Sequence, residues 1–176
     1  SRRRHTRYPL VTGVRTCALP ISLRSVEWAG RWQECRLADG RRLIVDGSHN
    51  EEGVRIIEPL LAALPSPTVI VGALGAERAR PLVAAAARHA GVLVLVRPDN
   101  ERACSVGELA ALVPAGFRGE VRRASVAELF PAPATCAAPG GTVVVLGSLY
   151  LVGEVLARLR GHALPDAWQD RLPPAR

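Results

Sequence analysis

No methionine and no lysine occur in the 176 residues, so all 23 basic side chains are arginine. Without lysine there is no G-x-x-x-x-G-K-[ST] loop, the motif whose backbone and lysine cradle nucleotide phosphates. The G-x-S-x-G elbow and the H-E-x-x-H pair are missing too, and no paired-carboxylate motif stands out, so the chain carries no complete catalytic set of its own. Cys17, Cys35, Cys104 and Cys136 include no C-x-x-C pair, and His5, His49, His89 and His162 are scattered, which leaves metal-ligand spacing absent. Reduced thiols in a cytoplasmic protein are the reading that follows. No apolar run is long enough for a bilayer-spanning helix, so no membrane span is expected. The missing initiator methionine reads as a fragment or a processed chain. The arginine bias, together with abundant Ala, Pro and Gly, reads as the codon usage of a GC-rich genome.

What is present suits one packed domain, with 48% hydrophobic residues. The net charge of +7 invites a nucleic-acid reading. Residues 1–22, however, hold Arg2, Arg3, Arg4, Arg7 and Arg15 and no acid, which leaves only +2 for the remainder. The body is nearly balanced, and nucleic acid is not expected as a partner. The first 22 residues show neither helical nor strand period and lack the apolar core of a secretory signal. They resemble the in-frame translation of a sequencing adapter; the alternative is a genuine basic, disordered arm.

From about Leu23 strands and helices alternate. Arg31–Leu37 and Arg41–Asp46 flank Ala38-Asp39-Gly40, a hairpin signal. Val54, Ile57, Leu60, Leu61 and Leu64 mark a helix after Asn50, with Pro59 expected to kink it or end it early. Thr68–Leu74 reads as a strand buried on both faces. A helix is predicted from about Ala79 to Ala90, with Pro81 near its first turn. Val92–Val96 is the next strand. Ser105 with Glu108, and Ser125 with Glu128, fit capping boxes at two helix starts, with a short strand at Glu120–Arg123 between them. Thr142–Leu146 is the last buried strand, and a helix follows from about Leu149 to Arg160. The predicted fold is α/β: a Rossmann-like, mostly parallel sheet with an antiparallel edge hairpin and helices on both faces. The predicted organisation is a tail at 1–22, one domain at 23–160, and a flexible, proline-rich tail at 161–176.

The stretch LIVDGSHN, Leu43 to Asn50, concentrates the chemistry. A hydrophobic strand that ends on Asp46 and turns through small polar residues sets a carboxylate at the carboxyl edge of a sheet, where open α/β folds bind ligands. Asp46 can accept hydrogen bonds from ribose hydroxyls or hold an ammonium group, or, with Asn50, it caps the next helix. His49 can donate to a phosphate or ribose, or simply pack. Arg31, in Gly30-Arg31-Trp32-Gln33, is either a solvated edge residue or a bidentate phosphate ligand. Gly147-Ser148 is either an anion site of free backbone N–H groups or a tight turn with a serine N-cap. Trp28 and Trp32 read as packing residues.

Three segments together resemble one family. Trp28-Ala29-Gly30-Arg31-Trp32-Gln33 is similar to the W-P-G-R segment that opens the C-terminal domain of folylpolyglutamate and dihydrofolate synthases, relatives of the Mur ligases, with Ala29 in place of proline. Asp46-Gly47-Ser48-His49-Asn50 resembles that family's DGAHN motif, with Ser48 for alanine and Glu51 where proline is common. LGSLYLVGEV, Leu146 to Val155, looks like its closing strand and helix, and Pro98 to Ala103 like a loop with a recurrent Pro and Arg-Ala pair. The likeness covers about Val26 to Arg160 in the family's order. Gly47, where cell-wall Mur ligases usually have Tyr, and GSLYLVGEV favour the folate branch. Gly75-Ala76-Glu77-Arg78 departs from the family's Asp-Lys-Asp, which puts a role for that loop in doubt.

The resemblance implies an enzyme that activates a folate or pteroate carboxylate with ATP to an acyl phosphate, which the amine of L-glutamate then attacks. It also implies that Arg31 touches ATP phosphate, that Asp46 binds the ATP ribose, and that His49 lies beside the nucleotide. The P-loop, the Mg2+ ligands and most of the folate or dihydropteroate site would belong to an N-terminal domain. On this reading the sequence is a truncated C-terminal domain, inactive alone and from a monomeric enzyme. The alternatives are the equivalent domain of a cell-wall Mur ligase, or a stand-alone Rossmann-like binding module without catalysis.

Overall fold

The computed structural model describes residues 30–162. The expected tail at 1–22, the start of the predicted domain with Trp28 and Ala29, Cys17 and residues 163–176 lie outside the described residues. Within them, six strands form one sheet: β1 (Gln33–Arg36), β2 (Arg42–Asp46), β3 (Thr68–Gly72), β4 (Val92–Leu95), β5 (Glu120–Arg123) and β6 (Thr142–Gly147). The helices are α1 (Glu51–Ala62), α2 (Ala76–His89), α3 (Val106–Ala111), α4 (Val126–Leu129) and α5 (Leu149–Leu159). The spatial order of the sheet is β1-β2-β6-β3-β4-β5. Only the β1–β2 pair is antiparallel; the other pairings are parallel. The predicted α/β architecture is the observed one.

The strand sequences explain two cores. In β2 and β6 alternate side chains point to opposite faces, the period-two consequence of the pleat. Ile44, Val144 and Leu146 pack with Val54, Ile57 and Leu61 of α1, Leu82 and Val83 of α2, and Leu109 of α3. Leu43, Val45, Val143 and Val145 pack with Leu129 of α4 and with Leu151, Val152 and Val155 of α5. Three helices thus cover one face and two the other, and each fully buried Val, Leu or Ile contributes roughly 1.5–3 kcal/mol through removal from water. That explains why β3 and β6 read as continuous apolar runs. The edge strand β5, by contrast, is exposed along its length and carries Glu120, Arg122 and Arg123, charges that discourage pairing with another chain.

Local signals hold with a few corrections. Both capping boxes form, with Ser105 and Ser125 accepting from the Glu108 and Glu128 N–H groups. Asn50 alone caps α1, accepting from Gly53 N at 2.8 Å. Pro59 does not stop α1, which continues to Ala62: the proline lies on the exposed side, so the backbone carbonyl it leaves without a donor can meet water. Leu60, expected on the buried stripe, is 40% exposed. Helix α2 starts at Ala76 rather than Ala79, with Gly75 (φ 79°) as its N-cap. Cys35, Cys104 and Cys136 are free thiols. Among the described residues no helix is long and apolar enough to cross a membrane.

Candidate nucleotide site at the sheet switch point

The chain leaves β2 toward the α1 face and leaves its neighbour β6 toward the α5 face. Adjacent parallel strands whose exits diverge open a crevice at their carboxyl ends, the place where doubly wound sheets receive ligands. Asp46 and Leu146 are register partners there, and Gly72 of β3 pairs with Gly147. The N-termini of α1 and α5 open onto the same edge from opposite sides. Their caps, Asn50 and Ser148, each take one free N–H, and the partial positive charge of both helix ends favours an anion between them.

Asp46 is buried, with 3% exposure. Its Oδ2 accepts from Trp32 N at 2.6 Å and its Oδ1 from Ser48 N at 2.8 Å. It therefore does not cap α1; it ties the start of β1 to the turn after β2. Each carboxylate oxygen keeps a second lone pair beyond those bonds. The turn is closed from the other side by Gly47 N, which donates to the Gly30 carbonyl at 2.7 Å. Arg31 is thus bracketed by Gly30 and Trp32, both bonded to the Asp46–Gly47 turn, while its own side chain is exposed. Positive φ at Gly30 (76°) and Trp32 (43°) produces this bracket. Gly30 also packs so closely on Val152 of α5 that an added methyl would collide with its side chain.

His49 is half-buried, and its Nδ1 lies 2.8 Å from the Gly47 carbonyl oxygen. A carbonyl only accepts, so Nδ1 carries the proton and Nε2 is left for another partner. Arg31, Asp46 and His49 therefore meet at one edge. Gly147-Ser148 is a tight turn: Gly147 adopts φ 136° against the Gly72 carbonyl, and Ser148 Oγ accepts from Leu151 N at 3.2 Å. Trp32 packs against the α1 side of the core, as expected of a packing residue.

Two cavities had no sequence signal, although the loops of the first did. The β3–α2 loop and Arg102 enclose a cavity of about 290 Å³ on this same edge, lined by Leu74, Gly75, Ala76, Glu77, Arg78 and Arg102. The pairing of Leu74 with Ala103, and Cys104 N donating to the Ala73 carbonyl at 2.9 Å, bring those loops together. Such long-range backbone bonds leave no trace in spacing. A larger cavity of about 480 Å³, between Arg88, Phe117 and Arg118, lies beside the amino ends of β4 and β5, away from the switch point. Among the described residues no three His, Cys, Asp or Glu side chains converge to hold a metal ion.

The family model described as "Mur ligase, glutamate ligase domain" matches residues 30–149, about two thirds of the chain. The chain belongs to this family. No curated protein matches the sequence. Among solved structures, this Mur ligase domain is similar to the folylpolyglutamate synthase of Mycobacterium tuberculosis complexed with ADP and AMPPCP, at 18% identity and a TM-score of 0.63, over 85% of this chain and 36% of that one. The bifunctional folylpolyglutamate synthase/dihydrofolate synthase of Yersinia pestis gives 22% identity and a TM-score of 0.62, over 82% and 34% of the two chains. The same type of enzyme with Mn, AMPPNP and L-glutamate bound gives 21%, 0.58, 77% and 32%. At these identities the likeness establishes the fold. The Mur ligase domain spans about a third of the length of these relatives.

Proposed function

We propose that this Mur ligase domain closes over the nucleotide in an ATP-dependent ligase that joins L-glutamate to folate or dihydropteroate. The observation that carries the reading is the meeting of Arg31, Asp46 and His49 at the switch point of a sheet whose family is a glutamate ligase domain. In this reading the exposed Arg31 guanidinium contacts ATP phosphate, where its planar fork matches two oxygens and offsets developing charge. The spare lone pairs of Asp46 accept from the ribose hydroxyls. His49, its Nδ1 held by Gly47, offers Nε2 beside the nucleotide. ATP supplies the acyl-phosphate chemistry when bound. Mg2+ is assigned to the P-loop domain, as the resemblance implies.

The phosphate loop that this chemistry needs is missing from the 176 residues, so the domain works with a P-loop domain and is inactive without it. The folate branch rests on the resemblance, Gly47 and GSLYLVGEV above all, and the monomeric state on the resemblance alone. The test is complementation in trans with a P-loop domain from a folate ligase, reading ATP-dependent glutamate addition to dihydropteroate or folate. Arg31→Ala is the deciding variant, because the side chain is exposed and its loss leaves the fold intact. Activity that appears only with both parts and falls at least about tenfold in Arg31→Ala, the size of a lost charge-assisted contact, supports the reading. Glutamate addition by the chain alone, or rescue indifferent to Arg31, refutes it.

A further inference from the structure

Glu154 sits on α5 two turns after the Ser148 cap, with only 11% of its side chain exposed. Its neighbours along the helix, Leu151 and Val155, are core residues. A carboxylate in such a place loses hydration, and helix packing alone gives no reason for it. Its hydrogen bond gives the reason. Glu154 Oε2 accepts from Asp99 N at 3.2 Å, at the start of the loop between β4 and α3. Arg158 contributes less: its Nε is 3.8 Å from Oε1, too far for a hydrogen bond, and is itself buried without a partner.

The remainder of that loop is internally knit. Asn100 N donates to the Pro98 carbonyl, Arg102 N donates to Asn100 Oδ1 at 2.9 Å, and Ala103 N donates to the Asn100 carbonyl at 3.0 Å. Cys104 N then fixes its far end to the Ala73 carbonyl, just past β3. The loop therefore behaves as one piece, with Glu154 as its near anchor and Arg102 on its cavity side.

We propose that Glu154 is a positioning residue: through the Asp99 N–H it holds residues 98–103, and with them Arg102, against the carboxyl edge of the sheet. The consequence for catalysis rests on the function proposed above, since it places a guanidinium beside the nucleotide edge; the anchoring itself does not. One rigid helix thereby links the Gly147-Ser148 turn at the switch point to the second loop. The charged groups facing Glu154 are Asp99 from the loop and Arg158 from its own helix. Burial pushes its carboxyl above the usual range, the Asp99 N–H and Arg158 oppose that, and the Asp99 carboxylate adds to it.

The test is amide NMR and hydrogen exchange on the 176-residue chain, with Glu154→Gln and Glu154→Ala. In the unmodified chain the Asp99 amide shift is expected to titrate with a midpoint above that of an ordinary glutamate. In Glu154→Gln the step with that raised midpoint disappears. In Glu154→Ala, exchange at residues 99–103 quickens about tenfold, the size of one lost hydrogen bond to a charged group, with Val69–Val71 unchanged. Absence of a raised-midpoint step at the Asp99 amide overturns the proposal even if the alanine variant fails to fold, as does unchanged exchange at residues 99–103 in a folded Glu154→Ala. Because no reading requires ATP, loss of the ligase assignment would leave these results standing, and failure here would leave the trans-complementation result untouched.

Discussion

Asp46 reaches across 14 residues of sequence to hold the backbone of Trp32 with a 2.6 Å hydrogen bond. The carboxylate proposed for ribose recognition is therefore the clamp between the first strand and the site turn. The clamp and the proposed binding role meet at this residue.

Asp46→Ala leaves the N–H groups of Trp32 and Ser48 without their acceptor. The expected loss is roughly 2–4 kcal/mol, the sum of two unsatisfied donors near the interior. Asp46→Asn keeps an acceptor oxygen and loses less. Urea unfolding followed by fluorescence measures both, and a change under about 0.5 kcal/mol in the alanine variant contradicts the clamp.

Gly75 and Gly147 both have positive φ, at 79° and 136°, yet alanine will cost different amounts. At Gly75 an added methyl meets nothing, so only backbone strain of about 1–3 kcal/mol applies. At Gly147 the methyl overlaps the Gly72 carbonyl between adjacent strands, and strain plus overpacking brings about 3–5 kcal/mol. Equal unfolding midpoints for the two variants would show the β3–β6 junction to be looser than described.

Arg41 fastens the loop before β6. Its guanidinium donates to the carbonyls of Ala138 at 2.5 Å, Gly140 at 3.2 Å and Cys136, and to Asp39 at 2.6 Å. Arg41→Ala should destabilise by about 2–3 kcal/mol and speed hydrogen exchange around Ala137. Lysine has no fork, so Arg41→Lys should recover less than half of that loss. Full recovery by lysine would mean that charge alone secures the loop.

Two glutamates should respond to pH with opposite sign. Hydrogen bonding from Arg88, helped by His89, lowers the Glu58 carboxyl below its usual range. A depressed native value means stability present above the unfolded carboxylate range and lost as pH falls through the native value. Glu58→Gln should therefore weaken the fold at neutral pH and match the parent in acid. Burial raises Glu154, so its ionised form carries a cost at pH above its native value that vanishes below the ordinary glutamate range. Glu154→Gln should be more stable than the parent at neutral pH. Thermal unfolding from pH 3 to 8 separates the two; parallel curves would refute the assignment.

Much of this architecture was legible because its signals are local. Ser105 and Ser125 carry their glutamates three residues on, and the strands of the parallel sheet announce themselves as unbroken apolar runs, since both faces are covered. Pro59 does not stop the helix at once, because its effect depends on which way the proline faces, a property of the packed helix rather than of the residue. Spacing leaves Asp46 open between capping and binding for a similar reason: its partner, the Trp32 N–H, is remote in sequence.

Order and type of elements, the two-core pattern and the identity of the residues at the β2 exit follow from periodicity and motif alone. Those properties depend on which atoms each residue carries and on neighbours a few positions away. The bracketing of Arg31 by bonds to Asp46 and Gly47, the Nδ1 tautomer of His49 and the anchoring of Asp99 by Glu154 arise only when the sheet closes. They are long-range contacts made mostly through backbone atoms, and every residue type has the same backbone N–H and C=O to offer apart from proline.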